Sequence, residues 1–233
     1  MTRKLYLEDS YKKEFDAKVT AVNTNQVILD QTYFYAAAGG QPGDTGEVNN
    51  IKVLDTIKGP DGSVIHILEK EPGFKVGDSV HSIINWDRRH KIMRLHTACH
   101  IISGVVYQKF SGAKFTGSQI YEDRARMDFD MEKFDEETAR IVEIESNKII
   151  ESGLPVAAKM LGWEETQKDK DLFRVQHELY SKYDKPRIVS IGNFDRQLDG
   201  GTHVKSTKEV GTILIVKREN KGRHNKRITI VVE

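Results

Sequence analysis

Apolar and polar residues largely alternate over residues 15–22, Phe-Asp-Ala-Lys-Val-Thr-Ala-Val. A period of two places successive side chains on opposite faces of an extended chain, so this segment predicts a half-buried strand. Short β-branched runs at residues 26–30, 51–57, 64–68 and 80–84 predict more strands. Turn-forming residues separate them: Asn23-Thr24-Asn25, Gly59-Pro60-Asp61-Gly62 and Pro72-Gly73. Strands this short and this closely spaced predict a small barrel or sandwich.

Near Trp86 the period changes. Between residues 87 and 110, Ile92, Leu95, Cys99, Ile102, Val106 and Phe110 recur in steps of three and four, which predicts a helix with one apolar face. Asp87 is placed to cap it. Residues 119–130 return to alternation, with Ala125, Met127 and Phe129 on one side. A helix is predicted over residues 134–152, with Ile141, Val142 and Ile144 inward and Gly153 and Pro155 ending it. Strands are predicted at residues 156–160, 187–192, 212–217 and 227–232, and a short helix at 163–170. The expected fold is α+β: a small β-barrel-like domain over residues 1–86, then a two-layer α/β domain over residues 87–233.

Composition narrows the classes. At 233 residues and 38% apolar, the chain has material for a packed core. Its longest apolar runs, such as residues 211–216, are far too short to cross a bilayer. No apolar run of signal-peptide length follows Met1-Thr2-Arg3-Lys4, and Cys99 is the single cysteine, so a cytoplasmic protein without a disulfide framework is expected. Net charge is +1, but charge is segregated. Residues 122–145 hold ten acids and four bases; residues 217–227 hold six bases and one acid. Arg88, Arg89, Lys91 and Arg94 form a second basic group. Such clusters can neutralise phosphates.

The strongest chemical signal is a pair of pairs. His96 and His100 stand four apart on the predicted helix, offset by about 40°, so both rings leave from one face. Asp199 and His203 repeat the spacing across Gly200-Gly201, a turn that can bring both side chains to one centre. Together they can close a four-ligand site, and zinc accepts both imidazole nitrogen and carboxylate oxygen. Thr97 stands where the zinc-protease signature requires glutamate, which excludes that class. Cys99 fits the apolar stripe as a small buried residue. His66, His81, His90, His177 and His224 lack metal-spaced partners and are read as structural or surface residues; Trp86 and Trp163 are read as core anchors. The segment Gly39-Gly40-Gln41-Pro42-Gly43-Asp44-Thr45-Gly46 is either a ligand cradle or a long hairpin loop.

These motifs carry a resemblance. His96-Thr97-Ala98-Cys99-His100, Thr116-Gly117-Ser118, Arg126-Met127-Asp128-Phe129 and Gly200-Gly201-Thr202-His203-Val204 occur in an order that resembles the editing domain of alanyl-tRNA synthetase. Upstream, residues 34–46 resemble the glycine-rich segment that precedes that domain. The chain is therefore similar to AlaX, the free-standing alanyl-tRNA editing proteins, in their medium-length type.

The resemblance implies an ATP-independent hydrolase that deacylates tRNA(Ala) carrying the wrong amino acid, chiefly serine and also glycine. It implies one zinc ion per chain at His96, His100, His203 and position 199. The family's common residue there is cysteine, so Asp199 stands either as an oxygen ligand or behind a three-histidine site. Thr116, Ser118 and Gln41 are the candidates for substrate selection, because a hydrogen-bonding pocket rejects a substrate that lacks the hydroxyl. Gly39, Gly40, Arg88, Arg89, Lys217, Arg218, Lys221 and Arg223 are the candidates for tRNA contact. Two other readings stay open: a deacylase for a different aminoacyl-tRNA, and a non-catalytic RNA-binding module with a structural zinc.

Overall fold

The computed structural model of the chain describes residues 2–111, 113–167, 172 and 186–233. His177 and residues 168–170 of the short predicted helix lie outside them. The chain divides into two compact units, Met1–Ile92 and Met93–Glu233.

The first unit is built from β1 (Arg3–Lys4), β2 (Glu14–Asn23), β3 (Gln26–Leu29), β4 (Gln31–Thr32), β5 (Gly46–Val48), β6 (Ile51–Lys58), β7 (Val64–Leu68) and β8 (Ser79–Ile84). Strands β2, β3, β7, β6, β5 and β8 close in that order into an antiparallel barrel. Closure gives each of these strands a hydrogen-bonded neighbour on both sides. Alternation in β2 turns Phe15, Ala17 and Val19 inward, and in β8 it turns Val80 and Ile84 inward. They meet Val27, Leu29, Phe34, Val48, Val53 and Leu68 in one core. His66 lies in that interior, with its ring 2.9 Å from Thr32 Oγ1 and 3.1 Å from the Val27 carbonyl. Burial lowers its pKa to about 4, so it is neutral at pH 7.

The glycine-rich segment between β4 and β5 is shaped by the barrel itself. Gly39 and Gly40 have φ of +58° and +82°, and the backbones of Ala38 and Gln41 pair across them as a two-residue hairpin turn. A Cβ at Gly43 would stand 2.0 Å from the Thr56 carbonyl oxygen, so the segment lies directly on β6.

Helix α1 (Trp86–Lys109) runs through the division between the units. Its cap is Asn85, whose Oδ1 accepts from the Arg88 N–H at 3.2 Å; Asp87, predicted as the cap, is already inside the helix. Trp86 is not a core anchor either. It is half-buried, stacked on His90 and tilted against Tyr11, with each pair of ring centroids 5.4 Å apart.

The second unit continues with β9 (Lys114–Ile120), β10 (Ala125–Asp130), α2 (Glu136–Glu151), β11 (Val156–Met160), α3 (Trp163–Gln167), β12 (Arg187–Ile191), β13 (Asp195–Leu198), β14 (Ile213–Gly222) and β15 (Asn225–Val232). One antiparallel sheet has the order β14-β15-β10-β9 and another the order β11-β12-β13. The protein is thus mixed α+β, as expected. Ala125, Met127 and Phe129 are fully buried. In α2 the inward face is Ala139, Val142, Ser146 and Ile150. Ile141 and Ile144, expected inward, are 38% and 45% exposed. Ile141 and Val142 sit about 100° apart on the helix and cannot share its centre line. The helix instead faces the edge of β14. Asn147 Nδ2 donates to the Ile213 carbonyl at 3.0 Å, its Oδ1 accepts from the Ile213 N–H at 2.9 Å, and Glu143 accepts from the Ile215 N–H at 2.7 Å. Among the described residues no helix is long and apolar enough to cross a membrane.

Candidate metal centre

The one-sided stripe predicted for α1 is too modest. From Ile92 to Val106 the helix is buried on nearly every side, Arg94 alone being half-exposed. Small residues make this possible: a Cβ at Gly104 would lie 2.8 Å from the Phe194 ring, so the helix passes close to the turn between β12 and β13. His96 and His100 are therefore interior histidines, 7% and 6% exposed.

Asp199 follows β13 directly. Its N–H donates to the Arg187 carbonyl at 3.0 Å. Arg187 returns the contact, its Nη1 donating to the carbonyls of Asp199 (3.1 Å) and Gly201 (2.8 Å). Asp199 Oδ1 accepts from the Gly201 N–H at 2.7 Å, which folds the Gly200-Gly201 turn back on itself. The turn delivers His203 to the centre, where it is 6% exposed.

Four donors converge here. One ligand atom each from His96, His100, Asp199 and His203 lie within 4.8 Å of one another. All three rings turn Nε2 toward the Asp199 carboxylate: His203 at 2.9 Å from Oδ1, His96 at 3.4 Å and His100 at 3.9 Å from Oδ2. The ring centroids of His96 and His203 are 4.3 Å apart. Burial opposes charge on Asp199, but the His96 ring and the hydrogen bond from His203 outweigh it and hold the carboxyl well below its usual range. Burial and the neighbouring His96 lower His203 to about 4. The set is thus an ionised carboxylate among imidazoles, with His203 neutral at pH 7, which is the donor chemistry a divalent cation requires. Cys99 does not join it. Burial, and after it the charge of Asp199, push its thiol up to about 12, so it stays protonated and is no thiolate ligand.

The other candidates sit as follows. Thr116 is exposed on β9, at a register shift where Phe115 pairs with Phe129 and Gly117 with Asp128. Such a bulge re-aims a side chain. Ser118 is half-buried opposite Met127. Gln41 is 2% exposed in the barrel unit, next to the Gly39-Gly40 turn. Arg88 is half-buried and donates to the Gly43 carbonyl at 2.6 Å. Arg89 cannot be a phosphate contact. It is 0% exposed, pairs with Asp44, and donates to the carbonyls of Ser10 (3.0 Å) and Tyr33 (2.6 Å). A buried guanidinium is tolerated only when paired in this way.

The basic hairpin of β14 and β15 is also partly spent. Lys217 and Lys221 both reach Glu219, at 3.4 and 2.9 Å; Arg218 reaches Glu136 at 3.8 Å and Arg223 reaches Glu132 at 3.6 Å. Sequence reasoning passed over Arg187, which opened a predicted strand and carried no motif. It also missed Asp195, a buried carboxylate 3.9 Å from His100 Nδ1, held by a 2.7 Å hydrogen bond from Gln197. Only the missed strand β13 places it there.

Two family models match the chain. Residues 5–88 match tRNA synthetases class II (A), and residues 187–229 match the threonyl and alanyl tRNA synthetase second additional domain. The chain is 38% identical to the alanyl-tRNA editing protein AlaX-M of Saccharolobus solfataricus, over 100% of both. It is 34% identical to that of Pyrococcus horikoshii, over 100% of this chain and 99% of the relative. It is also 37% identical to the alanine–tRNA ligase of Thermococcus kodakarensis, over 94% of this chain and 24% of the ligase.

Proposed function

Because the chain belongs to the AlaX-M family of alanyl-tRNA editing proteins, we propose that it is an aminoacyl-tRNA hydrolase that deacylates mischarged tRNA(Ala). The favoured substrate is seryl-tRNA(Ala), with glycyl-tRNA(Ala) second, and the compartment is the cytoplasm. The observation that carries the reading is the convergence of His96, His100, Asp199 and His203. These four residues would hold one zinc ion. A bound zinc ion would supply Lewis-acid polarisation and a more acidic water.

The protein's own groups do the rest. The imidazoles of His96, His100 and His203 offer ring nitrogens and Asp199 offers a carboxylate, a donor set that suits a dication. The turn at Gly200-Gly201, held by Arg187, keeps two of the donors in place. Thr116, Ser118 and Gln41 are proposed to select the aminoacyl group by hydrogen bonds that alanine cannot satisfy. Gly39, Gly40, Arg88, Lys217, Arg218, Lys221 and Arg223 are proposed to contact the tRNA, where phosphate contacts position without reading sequence.

Four protein donors also suit a closed, structural zinc site, which keeps the RNA-binding reading as the second one. The deciding experiment is hydrolysis of seryl-tRNA(Ala) against alanyl-tRNA(Ala), with metal quantified on the same preparation. The expected result is fast serine release, spared alanine and about one zinc per chain. Bound zinc with neither ester cleaved would put the second reading first. Equal cleavage of seryl-tRNA of another identity would reassign the substrate.

A further inference from the structure

Thr97 lies on α1 between the two helical histidines and is fully buried. Its hydroxyl reaches across to the far pair of donors. Thr97 Oγ1 stands 3.1 Å from His203 Nδ1 and accepts from the Val204 N–H at 3.3 Å. The opposite nitrogen of the same ring, Nε2, is 2.9 Å from Asp199 Oδ1. A neutral imidazole donates from one nitrogen and accepts at the other. When Nε2–H donates to Asp199 Oδ1, Nδ1 must accept, and the Thr97 O–H donates to it. When Nε2 is given to a cation, the ring proton moves to Nδ1 and needs an acceptor; the same hydroxyl oxygen provides one. A carboxylate at this position would serve only the second arrangement, and a methyl group would serve neither.

We propose that Thr97 is a positioning residue for the metal centre: its hydroxyl holds the His203 ring with Nε2 facing His96, His100 and Asp199, both without a metal ion and with one. The hydroxyl also ties the chain at Val204 to α1, so the two ligand pairs are joined by one side chain. The proposal rests on the metal reading above. Outer partners of this kind fix the orientation of a ligating imidazole, and their removal costs roughly 10–100-fold in metal affinity.

The test uses the full-length chain, with Thr97→Val to remove the hydroxyl at nearly constant shape and Thr97→Ser to restore it. Zinc affinity is read by competition with a chromophoric chelator, and ligand geometry by the visible bands of the Co(II)-loaded protein. Thr97→Val should weaken zinc roughly 10–100-fold and shift the Co(II) bands, while Thr97→Ser keeps wild-type bands and most of the affinity. Wild-type affinity and bands in Thr97→Val overturn the proposal, as does a serine variant no better than valine. Wild-type protein that takes up neither ion overturns the metal reading itself. If Thr97→Val does not fold, ring nitrogen-15 shifts of His203 in the wild-type protein decide. Metal on Nε2 with a proton on Nδ1 supports the role, and metal on Nδ1 refutes it.

Discussion

Two buried histidines show how position decides chemistry here. His66 and His203 have the same intrinsic pKa, and burial takes both to about 4. One is locked in a barrel core by Thr32 and Val27; the other faces three further donor residues. For His66 the consequence is pH-dependent stability. Its folded pKa lies below the unfolded value of about 6.5, so between about pH 4 and 6.5 the unfolded chain binds more protons. Stability therefore rises with pH across that window and is lost as pH falls through it. The shift corresponds to about 3 kcal/mol from this residue. Chemical unfolding between pH 4 and 7 should show the slope, and His66→Gln should flatten it by one proton. An unchanged slope in the variant would assign the acid sensitivity to other groups.

Helix α2 shows the same dependence one scale up. Asp135 caps it, accepting from the Thr138 N–H at 3.0 Å, and Gly153 with φ +65° closes it, both in accord with local rules. Its orientation follows no local rule. Several apolar positions allow more than one inward face, and the chosen one brings Asn147 and Glu143 to the unpaired backbone of β14. Covering a sheet edge satisfies buried peptide groups that would otherwise each cost about 1–3 kcal/mol. Asn147→Leu should therefore destabilise the protein by about 2–4 kcal/mol, read as a lower midpoint in denaturant. Loss below about 0.5 kcal/mol would mean that water replaces the amide without cost. Strand pattern was legible where one face is buried, as in β2 and β8, and illegible for β13, whose four residues Asp-Arg-Gln-Leu carry three polar side chains.

Across the whole molecule, opposite charges segregated in the sequence meet in the fold. The acidic stretch supplies Asp128, Glu132 and Glu136; the basic one answers with Arg227 at 2.7 Å, Arg223 at 3.6 Å and Arg218 at 3.8 Å. A basic run that looks like a phosphate-binding surface in isolation is partly neutralised at home. Replacing Lys217, Arg218, Lys221 and Arg223 together by Gln should weaken tRNA binding and flatten its salt dependence. The change in slope should stay below the roughly 3.6 expected of four unpaired cations, because acids must be released as phosphates are gained. Filter-binding across a salt series measures it, and an unaltered slope would leave these residues with intramolecular pairing alone.

Sequence by itself determined the residue types and spacings of the candidate metal centre. HxxxH on a helix and DxxxH across a glycine pair are local facts, and helix pitch alone aligns the first two rings. Barrel strand β2 was legible from its two-residue period, and β3, β6, β7 and β8 from β-branched runs, whereas β5 (Gly46–Val48), at the end of the glycine-rich segment, was not. Only the tertiary structure decided that α1 is buried on nearly all sides from Ile92 to Val106, that Arg89 is an internal strut for the glycine-rich segment, and that Thr97 meets His203. Each depends on residues far apart in the chain, 106 positions in the last case. Such contacts arise from packing and desolvation, which no local pattern encodes.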